Sequence, residues 1–146
     1  MNNSTITPEI WETEEEKALT VKELKNIYFT WALNNLRGKS FKNLSINNEI
    51  SISRNGLSEW KSKTKSKEQV ISIKILDKLL ENAVLINKKP HKPINLNISE
   101  VLYFNQNCKV NGKTYTAIIT VKVYKSKNQY KYYHHYLDDF IIYLKA

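Results

Sequence analysis

Cysteine, glycine and proline are scarce in this chain, and each scarcity removes a class of protein. A single cysteine, Cys108, cannot close an internal disulfide, so a disulfide-stapled scaffold is excluded. It falls in a strand pattern with no base marked beside it, which reads as a packed thiol rather than a nucleophile. Only Gly38, Gly56 and Gly112 are available, too few and too scattered for a loop that cradles phosphates. No Cys/His cluster has the spacing of a zinc site, so no metal and no cofactor is expected. Paired carboxylates for acid–base work are missing too. The doublet Asp138-Asp139 lies in a strand, where neighbouring side chains point apart. No signal peptide and no apolar run of membrane length is present. The expectation is a cytoplasmic protein without membrane contact.

Acidic residues are in deficit, 14 against 23 basic ones, for a net charge of +9. The imbalance is uneven. Residues 1–20 hold Glu9, Glu12, Glu14, Glu15 and Glu16 against Lys17 alone, a net −4, and the rest of the chain carries +13. Residues 1–19 therefore form an acidic leader, read either as a short helix or as a loose tail. Its sharper reading is a strip that folds back and shields the basic body. Residues 20–146 form one α+β domain, of a length that supports a single core. A basic body favours polyanions, nucleic acid first. A solvated, lysine-rich surface remains the plainer explanation for the lysine count.

Several elements can be read directly. Thr7-Pro8-Glu9 resembles a helix start. Thr20 and Glu23 form a capping box before a stripe of Leu24, Ile27, Tyr28 and Trp31. Ile50 to Ser53 alternates as a short strand, and Arg54-Asn55-Gly56 breaks it, with Trp60 expected inward in a helical turn beyond. Lys61, Lys63, Lys65 and Lys67 alternate with Ser and Thr, as either a phosphate-gripping loop or a wet one. Ser66 and Gln69 open what reads as the best helix, carrying Val70, Ile73, Leu76, Leu79, Leu80 and Ala83. Residues 87–97, with Pro90, His91 and Pro93, read as a loop.

Three antiparallel strands come next, between Tyr103 and Tyr136. Asn111-Gly112 suits the positive φ angles of a tight hairpin. Tyr115, Ala117, Ile119, Val121 and Val123 form an apolar face opposite Thr114, Thr116, Thr120 and Lys122, with Ile118 as the exception. The last strand ends in Tyr132-Tyr133-His134-His135-Tyr136, and its two histidines face opposite sides. The segment from Leu137, with Phe140, Ile141, Ile142 and Leu144, reads as a final helical turn or strand.

Histidine, lysine, arginine, tyrosine and threonine on a basic sheet suit metal-independent RNA cleavage. A base takes the 2′-hydroxyl proton, an acid protonates the leaving oxygen, and cations hold the phosphate. The residues of Ile50 to Lys61, Leu79 to Ala83, Val110 to Tyr115 and Tyr132 to His135 occur in order across about residues 36–136. Together they resemble the large polyvalent-protein-associated domains of phages and mobile elements, some of which are assigned to the barnase/EndoU/colicin/RelE-like (BECR) nuclease fold. The resemblance implies N-terminal helices on one face of a roughly four-stranded antiparallel sheet, and a ribonuclease, often a toxin. It implies His135 as the first candidate for base or acid, with Tyr133 beside it, and Arg54 and Lys61 on phosphate. His134 stands where such domains usually carry an acid, and is a candidate second proton carrier. Lys122 and Thr120 join the catalytic set from the strand pattern, and Lys63 and Lys65 join the phosphate set from the lysine run. The expected partners are single-stranded or transfer RNA, and a neutralising antitoxin or immunity protein. The alternative is a nucleic-acid-binding or protein-interaction domain without catalysis.

Overall fold

A computed structural model describes residues 7–90 and 97–139. The leader is part of the fold. Its first element is β1 (Glu9–Ile10), not a helix started by Thr7-Pro8. The cap lies one turn further on, where Thr13 and Glu16 cap each other's backbone at the start of α1 (Glu14–Lys17). Thr20 and Glu23 repeat the motif at α2 (Val21–Asn35), as the capping box predicts. Leu24, Tyr28 and Ala32 form the buried stripe of α2, whereas Ile27 is 54% exposed and Trp31 is half-buried.

The next unit is a hairpin of β2 (Ser40–Asn43) and β3 (Asn48–Ser51). Buried Asn43 holds its turn: its amide donates to the Leu80 and Ala83 carbonyls, and its oxygen accepts from the Ser45 and Ile46 backbone. Arg54-Asn55-Gly56 lies beyond the end of the strand, as expected, and forms the first turn of α3 (Arg54–Lys63), where the Ser53 hydroxyl caps the Gly56 N–H at 3.3 Å. Gly56 is required by close approach. A Cβ there would lie 2.1 Å from the Tyr132 carbonyl oxygen, so α3 rests directly on the backbone of the last strand.

The helix expected from Ser66 to Ala83 is divided into α4 (Lys67–Ile71), a 3-10 turn (Ser72–Ile75) and α5 (Leu76–Asn82). The division falls at Ser72, whose hydroxyl donates to the Gln69 carbonyl at 2.6 Å, a local bond that competes with regular helix. Then come β4 (Val84–Pro90), β5 (Ile98–Val110), β6 (Lys113–Tyr124) and β7 (Gln129–Asp138). Residues 87–90, expected in a loop, extend β4 along β5 as far as the Pro90–Glu100 pair. Proline is tolerated at such an edge. The rest of that expected loop, with His91 and Pro93, lies outside the described residues; of the final element expected from Leu137, Leu137 and Asp138 belong to β7 and the part from Phe140 onward lies outside the described residues.

The β5–β6 hairpin turns at Asn111 (φ 54°) and Gly112 (φ 82°), as their sequence predicts. The α+β class holds, but the sheet is larger than four antiparallel strands. Among the described residues it has seven strands, in the order β1-β5-β6-β7-β3-β2 with β4 also on β5. β1 lies parallel to β5 and β3 parallel to β7; the other pairs are antiparallel. The added strands pair with what lies beside them: β1 and β4 with β5, β3 with β7, and β2 with β3. One face of the sheet, with Phe104, Cys108, Ala117, Ile119 and Val121, packs on Leu24, Leu57, Trp60, Ile73, Leu76 and Leu79 in one core. Burial raises the Cys108 thiol to about 12, consistent with a packed thiol.

Candidate functional site

A bulge in β7 sets the site. Thr120 pairs with His134 and Val121 with Tyr132, which leaves Tyr133 as the extra residue. An inserted residue places two consecutive side chains toward one side and re-aims the residues beyond it. Tyr132 and His135 thus enter the core, at 1% and 0% exposure. Tyr133 and His134 both line a groove of about 570 Å³ on the other face, together with Lys63, Lys89, Tyr103, Thr120 and Lys122.

The groove is cationic and ring-lined. The Lys122 ammonium lies 3.6 Å from the Tyr133 ring centroid and that of Lys63 lies 5.0 Å away, a geometry in which each cation is attracted by the ring. The Tyr133 and His134 rings meet edge to face at 5.4 Å. Glu59 pairs with Lys63 at 3.6 Å. Burial, with Lys63 and Lys122 nearby, lowers His134 to about 4. It is therefore neutral at physiological pH, with a free lone pair. Its Nδ1 is enclosed and has no hydrogen-bond partner, an arrangement that costs stability where it is tolerated. Burial also lowers the Lys122 ammonium, as does Lys63, against the opposing pull of Glu59.

His135, the first candidate from sequence, occupies a different environment. Its ring contacts the Ser72 hydroxyl through Nε2 and the Tyr132 hydroxyl through Nδ1, both at 2.7 Å. Because Ser72 donates its own proton to the Gln69 carbonyl, it accepts from Nε2–H, and Tyr132 donates to Nδ1. Gln69 completes the network by donating to the His135 carbonyl at 3.1 Å and to the Thr64 hydroxyl at 3.3 Å. Burial lowers the imidazole to about 3. Both ring nitrogens are used, and the ring ties β7 to the 3-10 turn. It does not reach the groove. The bulge explains the correction: simple alternation would place His135 opposite Tyr132, but the extra residue Tyr133 puts His135 on the core side with Tyr132 and His134 on the side of Thr120.

The expected phosphate-binding residues also divide. Lys63 enters the His134 groove. Arg54, Lys61 and Lys65 line a second groove, of about 710 Å³, between α2 and α3. Lys22, Lys25 and Phe29 of α2 form its other wall; sequence reading missed them, although their i, i+3, i+7 spacing marks one helix face. Lys61 lies 4.7 Å from the Phe29 ring centroid.

The leader's carboxylates are engaged elsewhere. Glu12 pairs with Lys67 at 3.7 Å and accepts from the Asn111 amide at 3.0 Å, and Tyr28 donates to Glu16. Pro8 and Ile10 carbonyls accept from Lys109 and Asn111, and Trp11 lies against Gly112. None of these contacts covers Arg54, Lys61, Lys63 or Lys65. Among the described residues, no helix is long and apolar enough to cross a membrane, and no group of three or more His, Cys, Asp and Glu is placed to hold a metal ion.

Fold and grooves together define an α+β domain with two separate cation-lined surfaces. Residues 19–136 match the family model of large polyvalent protein-associated domain 3, and the chain belongs to that family, which points to phages or mobile elements. No curated protein and no solved structure matches it.

Proposed function

We propose that this domain is a metal-independent ribonuclease of the BECR type, with its reacting phosphate in the His134 groove. The observation that carries the reading is the bulge at Tyr133, which gathers His134, Thr120 and Lys122 beside Lys63. Neutral His134 accepts the proton of the 2′-hydroxyl. That oxygen attacks phosphorus, forming a 2′-O–P bond while the P–O5′ bond breaks. Lys122, whose acidity burial increases, gives its proton to O5′. Lys63 holds the phosphate charge, the Thr120 hydroxyl donates to a non-bridging oxygen, and Tyr133 positions both ammonium groups by its ring. Solvent then returns both side chains to their starting protonation. The products are a 2′,3′-cyclic phosphate and a 5′-hydroxyl.

The test is incubation of the protein with single-stranded and transfer RNA in excess chelator. Cyclic-phosphate ends that disappear in His134→Ala support the reading. No cleavage across varied RNAs rejects it. The α2–α3 groove favours a second reading, a nucleic-acid-binding domain without catalysis, in which RNA is bound but stays intact.

A further inference from the structure

Helix α3 has two charged faces. Lys63 belongs to the His134 groove, and Arg54 and Lys61, seven residues apart, belong to the other. On that second side Arg54, Lys61 and Lys65 oppose Lys22 and Lys25 across Phe29, and no carboxylate lines the groove. Among the described residues none of these five cations forms an ion pair. Burial, and then the neighbouring Lys65 and Lys61, lower the Lys25 ammonium, so the cluster repels itself. Phe29 is half-buried. Its wall position gives the groove a flat apolar surface, which a splayed base can stack on and a paired duplex cannot use. Five cations without ion-pair partners among the described residues line one groove of about 710 Å³, more positive charge than a single phosphate carries negative.

We propose that the α2–α3 groove is a second, non-catalytic binding track for the backbone of single-stranded RNA, separate from the cleavage groove and joined to it across α3. This rests on the ribonuclease reading for its purpose, which is to hold the strand flanking the scissile phosphate. Its binding chemistry does not depend on cleavage. Each phosphate neutralised on a single strand releases counterions and contributes about −0.7 to the salt slope of log affinity. Full use of the five cations sets a limit of about −3.5 from this groove.

The experiment uses the whole protein and 2′-O-methyl RNA of two, six, twelve and twenty-four nucleotides, which lacks the attacking hydroxyl. Affinity is measured by fluorescence anisotropy at several salt concentrations. For the unaltered protein, affinity rises with length between two and twelve nucleotides. In Lys25→Glu/Lys65→Glu the twelve-mer binds at least tenfold more weakly, the salt slope falls by about 1.4, and the gain with length shrinks. Lys25→Gln/Lys65→Gln gives the same direction with a smaller loss, and circular dichroism checks that both variants are folded. Folded variants with unchanged affinity and slope overturn the track, as does binding of duplex RNA equal to that of single strands. If unmodified RNA is bound but never cut, the track stands and the ribonuclease reading falls.

Discussion

His134 and His135 are adjacent in sequence yet live in opposite chemistries. One imidazole lines an open cationic groove with an enclosed nitrogen left unpartnered. The other spends both nitrogens on hydroxyls inside the core. Both are held neutral well below the usual histidine range, to about 4 and about 3. A lowered pKa therefore does not by itself mark a reactive group. What separates the two is position: His135 has both nitrogens engaged inside the core, whereas the His134 ring lines the groove with Lys63 and Lys122.

Replacing each ring in turn divides the pair most sharply. His134→Ala should lower RNA cleavage by about 10²-fold or more, the range for a lost general base, while the urea midpoint moves little. His135→Ala should act on stability instead. It removes the acceptor of the Tyr132 hydroxyl and the donor to Ser72, which keeps its bond to Gln69, and it opens a cavity, at a cost of about 3–5 kcal/mol in unfolding free energy. Activity per folded molecule should then stay within a few fold at low temperature. If His135→Ala loses cleavage while fully folded, the division between the two rings is wrong.

The helix that touches the bulge comes next. Gly56→Ala drives a methyl into the Tyr132 carbonyl, and backbone cannot rotate away as a side chain can. We expect a loss of about 1–3 kcal/mol from this overpacking, with a drop in cleavage because α3 carries Lys63. A variant as stable as the parent would show that α3 does not press on β7.

The smallest effect is the pH dependence of stability. Unfolded histidine takes up a proton near pH 6.5, whereas folded His135 waits until about 3. Between these values the unfolded chain holds more protons, so stability falls as pH falls below 6.5. The slope from His135 is up to about 1.4 kcal/mol per pH unit. His134 adds in the same direction over a narrower window, discounted because it is partly exposed. Urea titrations from pH 5 to 7 should show the slope, and His134→Gln should reduce it without removing it. A flat profile would mean that His135 is less enclosed than its contacts imply.

Local chemistry made the β5–β6 hairpin, the Thr20 cap and the apolar face of β6 legible, because each depends on residues close in sequence. Asn111-Gly112 and the alternation from Tyr115 to Val123 needed no partner to be recognised. β1 was not legible as a strand, and β3 was legible as a strand without its partner, since their pairing joins Glu9 to Lys109 and Ile50 to Tyr130, far along the chain. The candidate site was half legible. Lys122 and Thr120 lie on one face as the strand pattern predicts, and the bulge brings Tyr133 and His134 together to the groove there. The bulge that selects His134 over His135 has no sequence signature, since it arises where β7 must pair with β6 while α3 packs on its backbone. Arg54 and Lys61 were read as phosphate binders beside the histidines because they match the basic positions of the strand-to-helix segment in the resemblance. Helical rotation carries them around α3 to face α2 instead.

The long-range pairing also has a temporal side. Glu9 must wait for Lys109, and Ile50 for Tyr130, before either can enter the sheet. During synthesis β1, β2 and β3 leave the ribosome ahead of the strands that fix them in the sheet, and the groove exists only once β7 has emerged. Under the ribonuclease proposal, no RNA could be cut at that groove before its last described strand is made.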